Sequence, residues 1–494
     1  MKKILVNQYT LDEEQSAIAC ATDKYSMVIA GAGSGKTLTI VGKIKYLLEH
    51  HIYSPEEICC ISFTNEAVQS LHKKIEEACH VHVPTYTFHK LAMDILDQNH
   101  IHYSIASSDL LDYIVDEFFQ SYCFGDKTLQ KIVYRYFGFF WKTKNNWEKI
   151  LKQKKFSNFK KLITTFILLY KNNTIFDISF HDFIKKHPQN QLLYLIYAIY
   201  LTYETEKQSS YLLDFDDLIE KAILLLKGNN CSLSYRMIII DEFQDTSYIR
   251  FSFIQEILKQ TNSSLCVVGD DYQSIYRFSG CDLSLFLHFQ DYFSNAKMYK
   301  IENTYRNSQE LIDVAGSFIQ KNPDQIPKHL VSQKHVDKPI QIIYYHHFQT
   351  ILQTILKQID LQKSIFILAR NSFHLNHYLT SYELDENKNL HMKGFESYHI
   401  RYLTIHSSKG LESDVVILLN VEDDYYGIPS LQKDEALLSL VKKGDHYPYE
   451  EERRLFYVAL TRAKETVYLL VPKKNPSCFI EEIKKDSNVA IQNF

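Results

Sequence analysis

Eight residues, Ala30-Gly31-Ala32-Gly33-Ser34-Gly35-Lys36-Thr37, follow a short apolar run and precede a stretch with helical periodicity. Glycines at 31, 33 and 35 let backbone N–H groups curl around phosphate oxygens at a helix N-terminus, where the peptide dipoles favour anions. A lysine and a hydroxyl closing such a loop suit a nucleotide: Lys36 is placed to reach its β- and γ-phosphates, and Thr37 to ligate Mg²⁺. The pattern is that of a P-loop, with Ala30 in the first glycine position. A second group, Ile238-Ile239-Ile240-Asp241-Glu242-Phe243-Gln244-Asp245, ends an apolar run in clustered carboxylates. A buried strand brings Asp241 to its C-terminal edge beside the loop, where a carboxylate can hold Mg²⁺ through water. Glu242, next to it, is a candidate base for polarising an attacking water. Neither group says what the nucleotide drives.

Positioning these groups requires a parallel α/β sheet, and the flanking pattern supplies one. Strands are predicted at Ser26–Ala30, Glu57–Phe63, Met237–Ile240 and Leu265–Val268, with a helix from about Lys36 to His50. Residues 90–205 carry helical periodicity and no convincing strand. They read as a helical insertion into a first domain made of 1–89 and 206–290. A second α/β domain, 291–494, contains predicted strands at Ser364–Ala369, Asp414–Leu419 and Thr466–Val471. With 494 residues, 45% hydrophobic and 23% charged, the chain is ordinary for a folded protein, which excludes disordered, collagen-like and disulfide-stapled classes. No stretch approaches the ~18 apolar residues of a membrane span, and nothing reads as a signal peptide, so the expectation is a cytoplasmic protein with no membrane partner. The nine cysteines show no CxxC spacing and read as reduced core thiols. A net charge of −4 means that any nucleic-acid site must be a local patch.

Further segments, in sequence order, make the pattern specific. Gln15 lies upstream of the loop. Phe63-Thr64-Asn65-Glu66-Ala67, Thr87-Phe88-His89 and Asp214-Phe215-Asp216-Asp217-Leu218 precede the carboxylate strand. Val268–Phe278, Thr304-Tyr305-Arg306, Thr404–Glu412 and Tyr457–Lys464 follow it. Together these resemble the Q motif and motifs Ia to VI of the UvrD/Rep/PcrA branch of superfamily 1 DNA helicases. The resemblance implies two RecA-like P-loop NTPase domains, parallel sheets flanked by helices, with the helical insertion in the first. It implies ATP and Mg²⁺ as cofactors. Gln15 would read adenine, Tyr305 would stack on the base, and Glu412 with Gly410 would touch ribose and phosphate. Gln273 would sense the γ-phosphate, and Arg306 and Arg462 would reach it from the second domain. Charge supplied to the equatorial oxygens is what phosphoryl transfer needs, and an arginine so placed is worth roughly 10³–10⁵ in turnover. Single-strand contact needs aromatic platforms rather than base readout. Phe63, Tyr276 and Phe278 would be the platforms, and Asn65, Thr87, His89 and His406 their polar companions.

Between Lys127 and Lys171 twelve Lys and Arg face a single acid, Glu148, interleaved with Tyr134, Tyr136, Trp141 and Trp147. Such a stretch attracts a phosphate backbone, or else forms a solvated lysine face. Three features depart from the resemblance. Only residues 371–403 separate the strand ending at Arg370 from Thr404, so the large second-domain insertion of Rep-type members is absent or reduced to a stub. Leu38 and Ser279 replace arginines common in relatives, which bears on base selectivity and on coupling. The expected function is an ATP-dependent helicase and single-stranded DNA translocase of 3′–5′ polarity, acting on single strands and single/double-strand junctions. The alternative is a nucleic-acid-gated ATPase subunit that loads or regulates a partner nuclease and does not unwind alone.

Overall fold

Strands rich in Ile, Val and Cys without polar alternation are satisfied only when both faces are covered. Six strands form the first sheet of the computed structural model: β1 (Tyr25–Ala30), β2 (Ile58–Ser62), β3 (Thr85–Thr87), β4 (Met237–Ile240), β5 (Ser264–Gly269) and β6 (Lys297–Ile301). All pair in parallel, in the order β6-β1-β5-β4-β2-β3. The structure describes residues 4–139, 146–173, 178–229, 231–346, 348–379, 381–433 and 435–494. Helices α1 (Glu13–Cys20), α2 (Lys36–Glu49), α3 (Asn65–Cys79) and α4 (Phe88–Gln98) flank this sheet.

Two expected boundaries move. β6 lies beyond residue 290 yet pairs with β1 along its whole length, so the first domain extends to about residue 301. Its sequence, Lys-Met-Tyr-Lys-Ile, is that of a largely exposed edge strand and lacks the apolar run that marks the central ones. Likewise α4 crosses residue 90, and its Leu91, Ala92, Ile95 and Leu96 are buried with Ile219 and Ile223 in the first domain's core.

The insertion is built on α5 (Lys154–Asn173) and α6 (Leu192–Ser209), around an apolar cluster that includes Phe119, Phe159, Phe166, Tyr170 and Ile196. The cluster also takes in Tyr134 and Trp147, whose rings lie 6.0 Å apart. These two aromatics are therefore core rather than strand platforms: helical periodicity turns them inward while Lys131 and Arg135 remain exposed. Trp141, Lys142 and Lys144 lie outside the described residues. Lys171 also leaves the basic face. It is 1% exposed and sits with Lys207 among Asp214, Asp217 and Glu204. Asp214 is the N-cap of α7 (Phe215–Lys227) and exchanges capping hydrogen bonds with Asp217, so the buried charges tie the insertion to the start of that helix. α8 (Tyr248–Thr261) completes this side of the first domain.

The second sheet is also six-stranded and parallel: β7 (Ile340–Tyr345), β8 (Ser364–Ala369), β9 (His399–Thr404), β10 (Ser413–Leu418), β11 (Ala463–Pro472) and β12 (Val489–Asn493), in the order β9-β8-β10-β11-β7-β12. α9 (Gln309–Ile319) and α10 (Glu450–Leu460) cover one face. Between β8 and β9, where at most a stub was expected, a hairpin pairs Glu383–Leu384 with Leu390–His391, and Leu390, Met392 and Phe395 bury against the sheet. The stretch from β10 to α10 does more than connect. Its Leu437, Leu438 and Val441 enter the insertion's apolar cluster, and Asn173 Nδ2 donates to the Val441 carbonyl at 3.2 Å. Among the described residues no helix is long and apolar enough to cross a membrane.

Removing one cation from the buried network leaves Asp214 and Asp217 under-compensated. Lys171→Met should destabilise the protein by about 3–5 kcal/mol. Urea unfolding at neutral pH measures this; a loss below about 1 kcal/mol would mean the network does not hold the insertion in place.

Candidate active site and single-strand face

The loop 30–37 leaves β1 and enters α2 at the C-terminal edge of the sheet, where β4 delivers Asp241 and β5 delivers Asp270. Gly33 and Gly35 have φ of +72° and +79°, values open to glycine without strain. Ala30, Gly31, Ala32 and Ser34 are buried, while Gly33, Gly35, Lys36 and Thr37 are half-buried at the loop's mouth. Lys36 Nζ lies 3.2 Å from Glu242 Oε1. Glu242 itself has φ +54°, a left-handed conformation that costs a side-chain-bearing residue roughly 1–2 kcal/mol. In that conformation one carboxylate oxygen pairs with Lys36. Gln244 Nε2 holds the other oxygen at 2.5 Å, and Gln244 Oε1 accepts from the Asp270 N–H at 2.9 Å. Burial works to raise the Glu242 carboxyl, but Lys36 and Lys409 outweigh it and hold the group below the ordinary carboxylate range. Asp241 goes the other way: burial and then the Glu242 charge push it up.

The second domain meets this loop directly. Thr304 Oγ1 donates to the Ala32 carbonyl at 2.7 Å, and the Tyr305 N–H donates to the Gly33 carbonyl at 3.0 Å. A Cβ on Gly33 would stand 2.4 Å from Arg306 Cβ. Arg462, 1% exposed, donates from Nη2 to Gln273 Oε1 at 3.0 Å and from Nη1 and Nε to the Leu411 and Val458 carbonyls. Burial, with the Arg306 cation nearby, pulls the Arg462 guanidinium down to about 9, which still leaves it charged at neutral pH.

The structure thus brings Lys36, Asp241, Glu242, Gln273, Arg306 and Arg462 to the junction of the two domains, with Thr37 next to Lys36 in the loop. ATP and Mg²⁺ fit it on structural grounds. Ser34 Oγ and Asp245 Oδ1 are buried there without a hydrogen-bond partner, as groups waiting on a polar ligand would be. Lys36, Thr37 and Asp241 are the residues that would hold the phosphates and the metal, and the ion would supply charge neutralisation on the phosphate oxygens. Three of the residues expected at the nucleotide have protein partners. Gln15 donates from Nε2 to the Ser34 carbonyl at 2.9 Å and shares a reciprocal cap with Asp12, so it braces the loop from behind. Tyr305, 52% exposed, donates its hydroxyl to Asp12 Oδ2 at 2.6 Å. Glu412 accepts from Arg306 Nε at 2.7 Å and lies 3.3 Å from Lys464, beside Gly410 with its φ of +82°.

The aromatic candidates fall into two groups. Tyr276, Phe278 and His406 cluster, with Phe278 and His406 ring centroids 5.4 Å apart and the Tyr276 hydroxyl donating to the His406 carbonyl at 3.0 Å. Phe278 is 55% exposed and offers a ring face. Phe63 packs edge-on to Phe88 at 5.4 Å with the Arg250 guanidinium 5.3 Å above it, and His89 lies 5.0 Å from the Phe215 ring. Asn65 is exposed in the first turn of α3. Thr87 is less available, because its hydroxyl caps α4 by accepting the Lys90 N–H at 3.2 Å. The groups are joined: Arg250 donates to the Asp245 carbonyl, Asp245 pairs with Lys409, and Lys409 Nζ stands 5.0 Å over the Tyr276 ring.

Sequence comparison agrees with this geometry. The UvrD/REP helicase N-terminal domain model matches residues 11–294, and the UvrD-like helicase C-terminal domain model matches residues 363–474. The chain belongs to the UvrD/Rep helicase family. It is 29% identical over 479 residues to DNA helicase IV of Escherichia coli K12, covering 93% of this chain and 68% of that protein. The ATP-dependent DNA helicase Rep of Buchnera aphidicola is 29% identical over 351 residues, covering 67% of this chain and 48% of its own length. A probable DNA helicase of Mycoplasma pneumoniae is 28% identical over 508 residues, covering 96% and 87%. As a UvrD-like enzyme of the ATP-hydrolysing class, the chain has two α/β domains that are RecA-like.

Several residues of this UvrD-like site were not singled out from sequence. Lys409 bridges Asp245 and the Gln273 carbonyl, the latter at 2.7 Å. Arg454 Nε donates to the Ser274 carbonyl at 2.7 Å, and Arg277 donates to Glu451. All three lie inside or just before recognisable motifs, but which carbonyl or carboxylate each one meets depends on the opposite domain.

Gly33→Ala places a methyl against Arg306 in a left-handed backbone, and steady-state ATP hydrolysis should fall at least about tenfold. Gly125→Ala, where a Cβ has open space, should leave it unchanged.

Burial holds the His89 and His406 imidazoles down at about 4, with Arg250 near the first and Arg370 near the second. Unfolded histidine titrates near 6.5, so between about 4 and 6.5 the unfolded chain binds more protons and stability falls as pH falls. The drop in melting temperature from pH 7.5 to 5.5 should be smaller in His89→Gln than in the parent.

Proposed function

We propose that this UvrD/Rep family enzyme is an ATP- and Mg²⁺-dependent motor on single-stranded DNA that moves 3′ to 5′ and unwinds duplex from single/double-strand junctions. One observation carries the reading. Gln273, which meets Arg462, lies three residues from Tyr276 and five from Phe278, the exposed ring of the single-strand face. A change at the γ-phosphate side of Gln273 is transmitted through a few backbone bonds to the platforms, and the Lys409 bridge links the same points from the second domain. Arg306 and Arg462 act on nucleotide only with the domains together, so hydrolysis and relative domain motion are coupled. The names of DNA helicase IV and Rep support DNA and ATP as the substrate classes. Polarity rests on the family likeness.

A second reading, a DNA-gated ATPase that works on a partner nuclease, draws on the small hairpin between β8 and β9. Among the described residues, the segment between β8 and β9 holds only short elements with which the second domain could grip duplex.

ATP hydrolysis should be strongly stimulated by single-stranded DNA, weakly by duplex or RNA, and abolished in Lys36→Ala. Phe278→Ala should reduce the stimulation about tenfold while basal hydrolysis stays within about twofold. A 3′-tailed duplex should be unwound and a 5′-tailed one not. Stimulated hydrolysis without unwinding of either substrate would favour the second reading, and no stimulation at all would sink both.

A further inference from the structure

One extended segment of the second domain, absent from the motifs, lies across the first. Along residues 326–330 burial alternates: Ile326 and Leu330 are half-buried, Lys328 is buried, and Pro327 and His329 are exposed. The inward residues each meet a part of the ATP site. The Ile326 N–H donates to Asp271 Oδ2 at 2.8 Å, and its carbonyl accepts the Tyr272 hydroxyl at 2.8 Å. Leu330 covers Gly31 so closely that a Cβ there would stand 2.3 Å from its Cδ2. Lys328 Nζ pairs with Asp270 Oδ1, stands 2.6 Å from Asp271 Oδ1 and sits 3.8 Å over the Tyr272 ring. Both carboxylates are fully buried, and Lys328 is 3% exposed.

Asp270 is also where Gln273 is held. Its Oδ2 accepts Gln273 Nε2 at 2.5 Å, which leaves Gln273 Oε1 facing Arg462 Nη2 at 3.0 Å. An amide turned over would set its NH₂ against the guanidinium, donor to donor, and its oxygen against a carboxylate. The side chain of Gln273 is thus oriented by an acceptor on one side and a donor on the other. That acceptor needs a cation, because a buried carboxylate left without a partner carries a large desolvation cost and is not held in the same hydrogen-bond geometry.

We propose that Lys328 is a positioning residue for ATP hydrolysis: by completing Asp270 as an acceptor it fixes the Gln273 amide toward Arg462, so the pair is assembled only when segment 326–330 is docked on the first domain. The proposal rests on the reading that Gln273 and Arg462 serve the γ-phosphate. The line Lys328–Asp270–Gln273–Arg462 starts and ends in the second domain and passes through the first, which makes it sensitive to their closure.

The test uses the full chain and single-stranded DNA-stimulated hydrolysis. Lys328→Met should lower kcat at least about tenfold with KM for ATP within about threefold, because the phosphate-holding loop is untouched. Lys328→Arg, which keeps the charge, should recover most of the loss. In a Gln273→Ala background, adding Lys328→Met should change kcat less than about twofold, since the route through the amide is already gone. Losses that multiply in the double variant, or a KM that rises as much as kcat falls, would overturn the positioning role. A Gln273→Ala enzyme with parental kcat would instead sink the underlying reading of Gln273. Should Lys328→Met fail to fold, Lys328→Met/Asp271→Asn, which restores the parental net charge of the cluster, carries the same measurement. Low kcat there supports the proposal, and parental kcat overturns it.

Discussion

A guanidinium taken out of water must be paired, and in this protein the partners that pair Arg462 come from both domains. Gln273 from the first domain and the Leu411 and Val458 carbonyls from the second occupy its donors, and Arg306 beside it is answered by Glu412. These contacts require the C-terminal edge of the first sheet to meet the starts of β10 and β11, which Leu411, Glu412 and Arg462 immediately precede. Once they do, Thr304 and Tyr305 fall onto the carbonyls of Ala32 and Gly33, and Arg462 comes near Glu242, which already pairs with Lys36. The left-handed Glu242 is held within the first domain. Its local strain is tolerated because Lys36 and Gln244 hold the carboxylate in place.

The insertion obeys a parallel rule. Its aromatic-rich helices form a core of their own, yet two contacts prevent it from being an independent lobe. Lys171 and Lys207 are buried against the acids that start α7, and Leu437, Leu438 and Val441 reach in from the second domain. A movement between the two α/β domains therefore also works on the insertion. Among the described residues, Leu437, Leu438 and Val441 are second-domain side chains in the insertion's core.

Charge in the sequence proved a mixed guide. The basic run 127–171 divides in the fold: Lys149, Lys152, Lys154 and Lys155 stay exposed, Lys160 pairs with Asp116, and Lys171 is spent inside. A lysine's destination depends on whether an acid from a distant segment meets it, and Asp214 and Asp217, which take the hydrogen bonds of Lys171, lie more than forty residues away. Lys328 is the same case with greater consequence. Its neighbours Pro327 and His329 are exposed, nothing local marks it, and only Asp270 and Asp271 across the domain boundary give it a role.

What the sequence determined by itself is whatever depends on near neighbours in the chain. The glycine spacing of 31–35, the apolar run ending in Asp241 and Glu242, and the ordered motifs from Gln15 to Arg462 are local patterns. Local chemistry suffices to read a phosphate loop, a metal-side carboxylate and two α/β domains from them. The tertiary structure decided what depends on partners far apart in sequence. It turned Gln15 and Thr87 to bracing and capping, drew Tyr134 and Trp147 into a core, and added β6 to the first sheet as an exposed edge. It also placed Lys409 and Lys328 at the join between the domains. Burial and ion pairing are properties of the assembled surfaces, so the residues that orient the site become visible only once the two sheets face each other.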